Sequence, residues 1–317
     1  MNKKLLSAGL AIVLTSLSLT GCQTTGEKDE KPVVLTTLFP QYDFVRAIAK
    51  DYVELEFFLP LGTSAHAYDP TPLDIIKIMD SDLFIYTGSV MEPWIDSDVL
   101  PNVTSDFNGL DLSEHVSLMA HTHEHEEEEE EEEEDHHEGE FDPHYWTLPN
   151  NAKGMVRAIR DELIELLPEN ENEIRENADN YLLELDTIDS KWHNLVEHSS
   201  QSTIIYGGHF AFGYVGEYYG FETLSPYEGY TPNAEPSPQN IIALIDLMDE
   251  LNINVVYYEQ NMDPKVASAI AEPTNATLIQ LNPAANLSAD QFNQGLTYLE
   301  IMNQNIENLK QGMKYSE

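Results

Sequence analysis

Eleven histidines punctuate this chain, and three of them, His66, His144 and His209, share a setting that the others lack. His66 lies in PLGTSAHAYDPTP, between a strand-like run and a helical one. His209 lies in IIYGGHFAFGY, again between a strand and a helix, and His144 lies in FDPHYW, directly before a helical stretch. Neutral imidazole suits Zn2+, and three imidazoles leave one tetrahedral position open. Taken singly, a loop histidine is more often a surface residue or a hydrogen-bonded structural one. Three at junctions of this kind, in an acidic chain, point instead to a metal site. Glu259, closing VVYYE, and Asn282, closing LIQLN, end strand-like runs of the second half. Both are candidates for a fourth donor or for a group hydrogen-bonded behind the ligands. His115, His193 and His198 do not share this placement and read as ordinary surface histidines.

A second group of histidines has a different character. Residues 121–137 read HTHEHEEEEEEEEEDHH, with His121, His123, His125, His136 and His137 around nine consecutive glutamates. One reading is a self-repelling acidic spacer with no specific task. The other is a low-affinity metal collector placed just upstream of His144. The glutamates raise the local cation concentration within about one Debye length, ~8 Å at physiological salt.

The chain opens MNKKLLSAGLAIVLTSLSLTGC, a positive start followed by an apolar stretch too short for a mature membrane span. It ends in small residues before Cys22, the single cysteine, which excludes an intrachain disulfide. The expectation is a secretory signal over 1–21, lipidation of Cys22, and a polar tether over 22–31. A lipidated cysteine supplies the paired hydrophobic chains that stable anchoring requires. The protein is then extracytoplasmic and bound to the cell membrane by lipid. Acidic residues outnumber basic ones 57 to 15. Such a surface repels nucleic acid and anionic headgroups and gathers cations, so nucleic-acid binding is excluded.

The elements that must position the histidines alternate along the chain. VVLTTL (33–38), VELEFFL (53–59) and LFIYTG (83–88) read as strands with helices between them. STIIYG (202–207), FETLS (221–225), INVVYY (253–258) and ATLIQL (276–281) repeat the pattern. Strands separated by helices indicate an α/β chain with parallel sheets. Two helical segments divide the halves, residues 153–167 and 169–198, the second about thirty residues without proline or glycine. At ~1.5 Å per residue it would span ~45 Å, which suits a linker crossing from one lobe to the other. The expected domains are a first lobe over 32–168 with the acidic loop at 121–140, a linker helix over 169–199, and a second lobe over 200–317. A single final helix is expected over 289–313. In open sheets of this kind ligands bind outside the carboxyl ends of the strands. His66 and His209, one per half, could therefore face a common cleft that His144 joins.

PLGTSAHAYDPTP, DPHYW, GGHFAFGYVGEYYGF, NAEPSP and VVYYEQNMDPKVASAIAE, in this order and with the acidic histidine-rich insert, carry a resemblance. The chain resembles the zinc- or manganese-type solute-binding lipoproteins of bacterial ABC transporters, whose two lobes are joined by one rigid long helix. The resemblance covers nearly all of the chain beyond the leader. It implies His66, His144 and His209 as metal ligands, an ABC permease and its ATPase as partners, and a monomer. The family commonly adds a carboxylate from the loop after the last strand. Here that loop reads LNPAANLS, with Asn282, Ala284 and Ala285, so water is the expected fourth ligand and Glu259 stands behind it. Three imidazoles favour Zn2+ over Mn2+, which carboxylates suit better. The alternatives are a manganese-binding member and a zinc hydrolase with a three-histidine, water-bearing centre. No H-E-x-x-H motif occurs and no glutamate adjoins the three histidines, which disfavours the hydrolase. A cell-adhesion role, attributed to relatives, finds no dedicated surface in the sequence.

Overall fold

The computed structural model describes residues 31–105, 107–119, 141–208, 211–227, 236–259 and 264–317. Cys22, the five histidines of the acidic insert and His209 lie outside the described residues.

The first half builds a sheet from β1 (Val33–Thr36), β2 (Glu54–Phe57), β3 (Leu83–Tyr86) and β4 (Gly109–Asp111), ordered β2–β1–β3–β4. The second half builds another from β5 (Thr203–Tyr206), β6 (Glu222–Leu224), β7 (Val255–Glu259) and β8 (Thr277–Leu281), ordered β6–β5–β7–β8. Every pairing is parallel, with Val34 opposite both Leu55 and Leu83 in the first sheet. The sequence reason is plain in β3 and β5, whose residues LFIY and TIIY are buried throughout. Strands covered by helices on both faces read as continuous apolar runs. Each sheet reverses its order beside its first strand, which opens a crevice between the carboxyl ends of β1 and β3, and of β5 and β7.

Helices α1 (Phe39–Ala49), α2 (Pro72–Met79) and α3 (Pro149–Leu166) accompany the first sheet. Between the lobes runs α4 (Glu171–Glu197), 27 residues long, about 40 Å at the usual helical rise. Its buried residues, Ile174, Ala178, Tyr181, Leu185, Ile188, Trp192 and Leu195, follow alternating steps of four and three, a single apolar stripe. In its first half Tyr181 meets the Phe44 ring of α1 at 5.4 Å. Near its end Trp192 stacks on Tyr219 at 5.5 Å and on Phe221 at 6.1 Å, in the second lobe. One rigid element thus grips both lobes.

In the second half α5 (Gly213–Tyr219), α6 (Pro238–Leu251) and α7 (Lys265–Thr274) cover the sheet. The expected final helix is two, α8 (Ala289–Asn293) and α9 (Tyr298–Gly312). Gly295, at φ 72°, turns the chain, and Thr297 with Glu300 forms a capping box that starts a new helix. Two further differences are small. α3 begins at Pro149 rather than Lys153, because proline is at home in a first helical turn. The three-residue β4 is too short for its pattern to be read as a strand.

The tail returns to the first lobe. Tyr298 donates its backbone N–H to Asp43 Oδ2 of α1 at 2.7 Å, and Phe292 packs on Tyr42 at 5.1 Å. One hydrophobic core therefore runs from the first sheet through α4 and α9 into the second lobe, and a smaller one lies under α6 and α7. Among the described residues no helix is long and apolar enough to cross a membrane.

Candidate metal centre

His66 sits in a 3-10 turn, Ala65–Ala67, beyond the carboxyl end of β2. The turn rests on three aromatic rings. Phe58, Tyr68 and Trp94 contact one another at 5.5 to 5.8 Å, and Trp94 donates its Nε1–H to the Ala65 carbonyl at 3.3 Å. Tyr68 is pinned in turn by donating its hydroxyl to Asp74 Oδ2 at 3.0 Å. Partial burial, then that hydrogen bond and the carboxylate's charge, push the phenol up to about 12, so it remains a donor.

His144 is buried, and Asp142 explains its orientation. The carboxylate Oδ1 accepts the His144 backbone N–H at 2.9 Å and faces the ring Nδ1 at 2.8 Å. A carboxylate at Nδ1 holds the proton on that nitrogen and leaves the Nε2 lone pair for a metal. The following residues lock the turn. Thr147 donates Oγ1–H to the His144 carbonyl at 2.8 Å, and Tyr145 donates its hydroxyl to the Thr87 carbonyl at 2.8 Å. The Trp146 ring lies 5.4 Å from that of His144, and its Nε1–H reaches across to the Pro283 carbonyl at 2.7 Å. Tyr298 donates its hydroxyl to the Trp146 carbonyl at 2.6 Å. The second lobe therefore braces the turn that carries His144.

The His66 and His144 rings lie 5.6 Å apart, centroid to centroid, at 60°. Two imidazoles on one tetrahedral Zn2+, each nitrogen 2.0–2.1 Å away, would have centroids about 5 Å apart. The pair fits that donor set from residues 78 positions apart in sequence.

In the second lobe the segment leading to His209 leaves β5 through Gly207 and Gly208. Gly207 donates its N–H to the Tyr257 carbonyl at 2.7 Å, and a Cβ on it would come within 2.5 Å of the Ala267 Cβ. A side chain is excluded at that position, which is why residue 207 is glycine. Glu259 ends β7 half-buried, beside the same crevice. Burial, and after it the charge of Glu259, raise the Tyr206 hydroxyl well above its ordinary value. Asn282 serves the loop after β8. It exchanges backbone hydrogen bonds with the Asn305 side chain at 2.9 and 2.7 Å. Its own Oδ1 accepts the N–H of Ala284, a residue at φ 62°.

Of the expected ligands, the fold brings His66 and His144 together. His115 ends an exposed turn, and His193 and His198 lie along and just after α4. Asp142 was not singled out by the sequence. Its only mark there is a carboxylate two residues before a candidate ligand, in DPH.

The chain matches the family model described as zinc-uptake complex component A, periplasmic (ZnuA), over residues 34–312. It is 32% identical to the high-affinity zinc uptake system protein ZnuA of Bacillus subtilis, covering 90% of this chain and 89% of that one. It is 28% identical to the zinc-binding lipoprotein AdcA of Streptococcus pneumoniae, covering 94% of this chain but 59% of that longer protein. The solved Zn(II)-bound ZnuA-like domain of S. pneumoniae AdcA superposes with a TM-score of 0.73 at 26% identity, covering 89% of this chain and 99% of the domain. The chain belongs to the family of zinc-uptake component A proteins.

Proposed function

We propose that this family member captures Zn2+ outside the cytoplasm with His66, His144 and His209 and hands it to an ABC permease driven by its ATPase. The observation that carries the reading is the His66–His144 pair, 5.6 Å apart, with His144 oriented by Asp142. His209 supplies the third imidazole from the second lobe, and water fills the open position with Glu259 behind it. Zn2+ is cargo here, held stoichiometrically and released unchanged, so the protein turns nothing over. Lipidated Cys22 keeps the monomeric protein at the membrane beside its permease. Neutral imidazoles favour Zn2+ over the harder Mn2+, and the excess of acidic residues raises the cation concentration around the cleft.

The test is calorimetric titration of the protein with His66→Ala, His144→Ala or His209→Ala, paired with competition between Zn2+ and Mn2+. Each substitution is expected to weaken Zn2+ binding by orders of magnitude, because two imidazoles remain where three chelated. Near-wild-type affinity removes that residue from the site, preference for Mn2+ overturns the choice of metal, and hydrolytic turnover by the zinc-loaded protein overturns the binding role.

A further inference from the structure

The loop between β8 and α8, where the resembled family commonly carries a carboxylate ligand, here carries Pro283, Ala284, Ala285 and Asn286. Beyond Asn282, its long-range hydrogen bonds reach the first lobe. Pro283 accepts the indole N–H of Trp146 at 2.7 Å, and Ala285 accepts the N–H of Phe39 at 3.0 Å. Asn286 reaches the turn that precedes His66. That turn, residues 60–63, closes through Thr63 N–H to the Pro60 carbonyl at 3.0 Å and has Gly62 at φ 80°, as a type II turn requires. Asn286 Nδ2 donates to the Pro60 carbonyl at 3.1 Å and to the Thr63 carbonyl at 2.8 Å. Its Oδ1 accepts from Gly62 N–H at 3.2 Å and from Leu287 N–H at 2.7 Å. Both donors and both acceptor sites of the amide are in use.

We propose that Asn286 is a positioning residue for zinc capture: it fixes the His66 turn to the second lobe, in register with the His144 turn that the same loop grips through Trp146. The proposal rests on His66 being a ligand. A mobile ligand loop loses affinity because metal binding must first order it. A bracket of three hydrogen bonds, ending three residues upstream of the histidine, removes that cost. The amide is specific to the task. Alanine leaves the Gly62 N–H and two carbonyls to water. Aspartate keeps the acceptor contacts but sets a carboxylate oxygen against the carbonyls of Pro60 and Thr63. The bonds to Gly62 and Pro60 lie at the surface, so water can replace them without unfolding the protein. The loss is then local to the turn.

The experiment compares Asn286→Ala and Asn286→Asp with the wild type, with His66→Ala alongside. Zn2+ affinity should fall roughly ten- to a hundredfold in both Asn286 variants, the usual range for groups that orient ligands. In the metal-free protein, amide exchange should accelerate at Gly62 and through His66 while the thermal midpoint holds. The absorption of the Co2+-loaded protein should change as ligand geometry loosens. Zn2+ affinity within twofold of wild type in either variant overturns the proposal, as does a loss that follows a lowered thermal midpoint with Gly62 exchange unchanged. Wild-type affinity in His66→Ala overturns the ligand reading and this proposal with it. Loss at His66→Ala without loss at Asn286 overturns this proposal alone.

Discussion

Asp142 holds the His144 Nδ1 at 2.8 Å and, in the proposed centre, leaves Nε2 to face the metal. Asp142→Asn replaces an acceptor with an amide that can turn a donor toward Nδ1 and favour the wrong tautomer. Zn2+ affinity should drop about ten- to a hundredfold, with the fold intact by circular dichroism. Unchanged affinity in a competition titration would detach Asp142 from the site. A second carboxylate shows what burial does without a metal. Glu92 is fully buried, with Oε2 accepting the Thr87 N–H at 2.6 Å, and its burial, partly opposed by hydrogen bonds, raises the carboxyl to about 7. The folded state therefore holds this proton more tightly than the unfolded chain, where the group titrates near 4.5. Its contribution to stability is complete below about pH 4.5, declines as pH rises, and is lost above about 7, a swing on the order of 3 kcal/mol. Glu92→Gln should remove that slope, so the variant gains on the wild type as pH climbs through this window. Parallel denaturation curves at pH 4.5 and 8 would refute the assignment. Neither residue was legible in the sequence, because GSVMEPW and FDPHYW reveal nothing of what packs over them.

The elements were more legible than their partners. A run of about thirty residues without proline or glycine announced α4, and the structure gives 27 of them as helix after a short turn at Pro168–Asn170. What the run could not reveal is which ring it meets at each end. Trp192 is fully buried against Tyr219 and Phe221, whereas Leu183 on the same helix is 64% exposed. Trp192→Ala should cost about 3–5 kcal/mol of unfolding free energy, and Leu183→Ala should stay within ~0.5 kcal/mol. Chemical denaturation separates the two, and equal losses would mean that α4 is not seated by its stripe. The break between α8 and α9 was readable in principle. Gly295 and the Thr297–Glu300 box stand in the sequence, but the amphipathic pattern continues across them and hides the stop.

At the scale of the whole molecule, the alternation of strands and helices announced two similar lobes, and the two sheets indeed share one strand order. The return of the tail onto the first lobe was not readable. It depends on pairs such as Trp146 with Pro283 and Asp43 with Tyr298, separated by 137 and 255 residues. No local pattern encodes a contact at that separation. The expected signal segment makes its own prediction. Cys22→Ala should release the protein from the membrane fraction of cells while leaving Zn2+ affinity unchanged, and retention in that fraction would sink the lipid-anchor reading.

The acidic insert joins this architecture at a well-defined base. Asp142 donates its N–H to the Met119 carbonyl at 3.2 Å. Tyr214 of the second lobe accepts the Met119 N–H at 3.0 Å and donates its hydroxyl to the Asp142 carbonyl at 2.7 Å. The two flanks of the insert are thus fastened together beside the carboxylate that orients His144, and deletion of residues 121–137 leaves residues 120 and 138–140 to close the gap. The deleted protein should fold and keep one tight Zn2+ site, since His66, His144 and His209 lie outside the deletion. It should lose the additional weaker sites, which need His121, His123, His125, His136 and His137. In the intact protein those weak sites should fade as pH falls through ~6.5, because imidazolium cannot ligate a metal. Uptake by cells should suffer chiefly when zinc is scarce, where a raised local concentration speeds capture at the cleft. Calorimetric stoichiometry before and after deletion, at neutral pH, decides the matter: a falling count with the tight site retained marks a collector, and an unchanged count marks an acidic spacer.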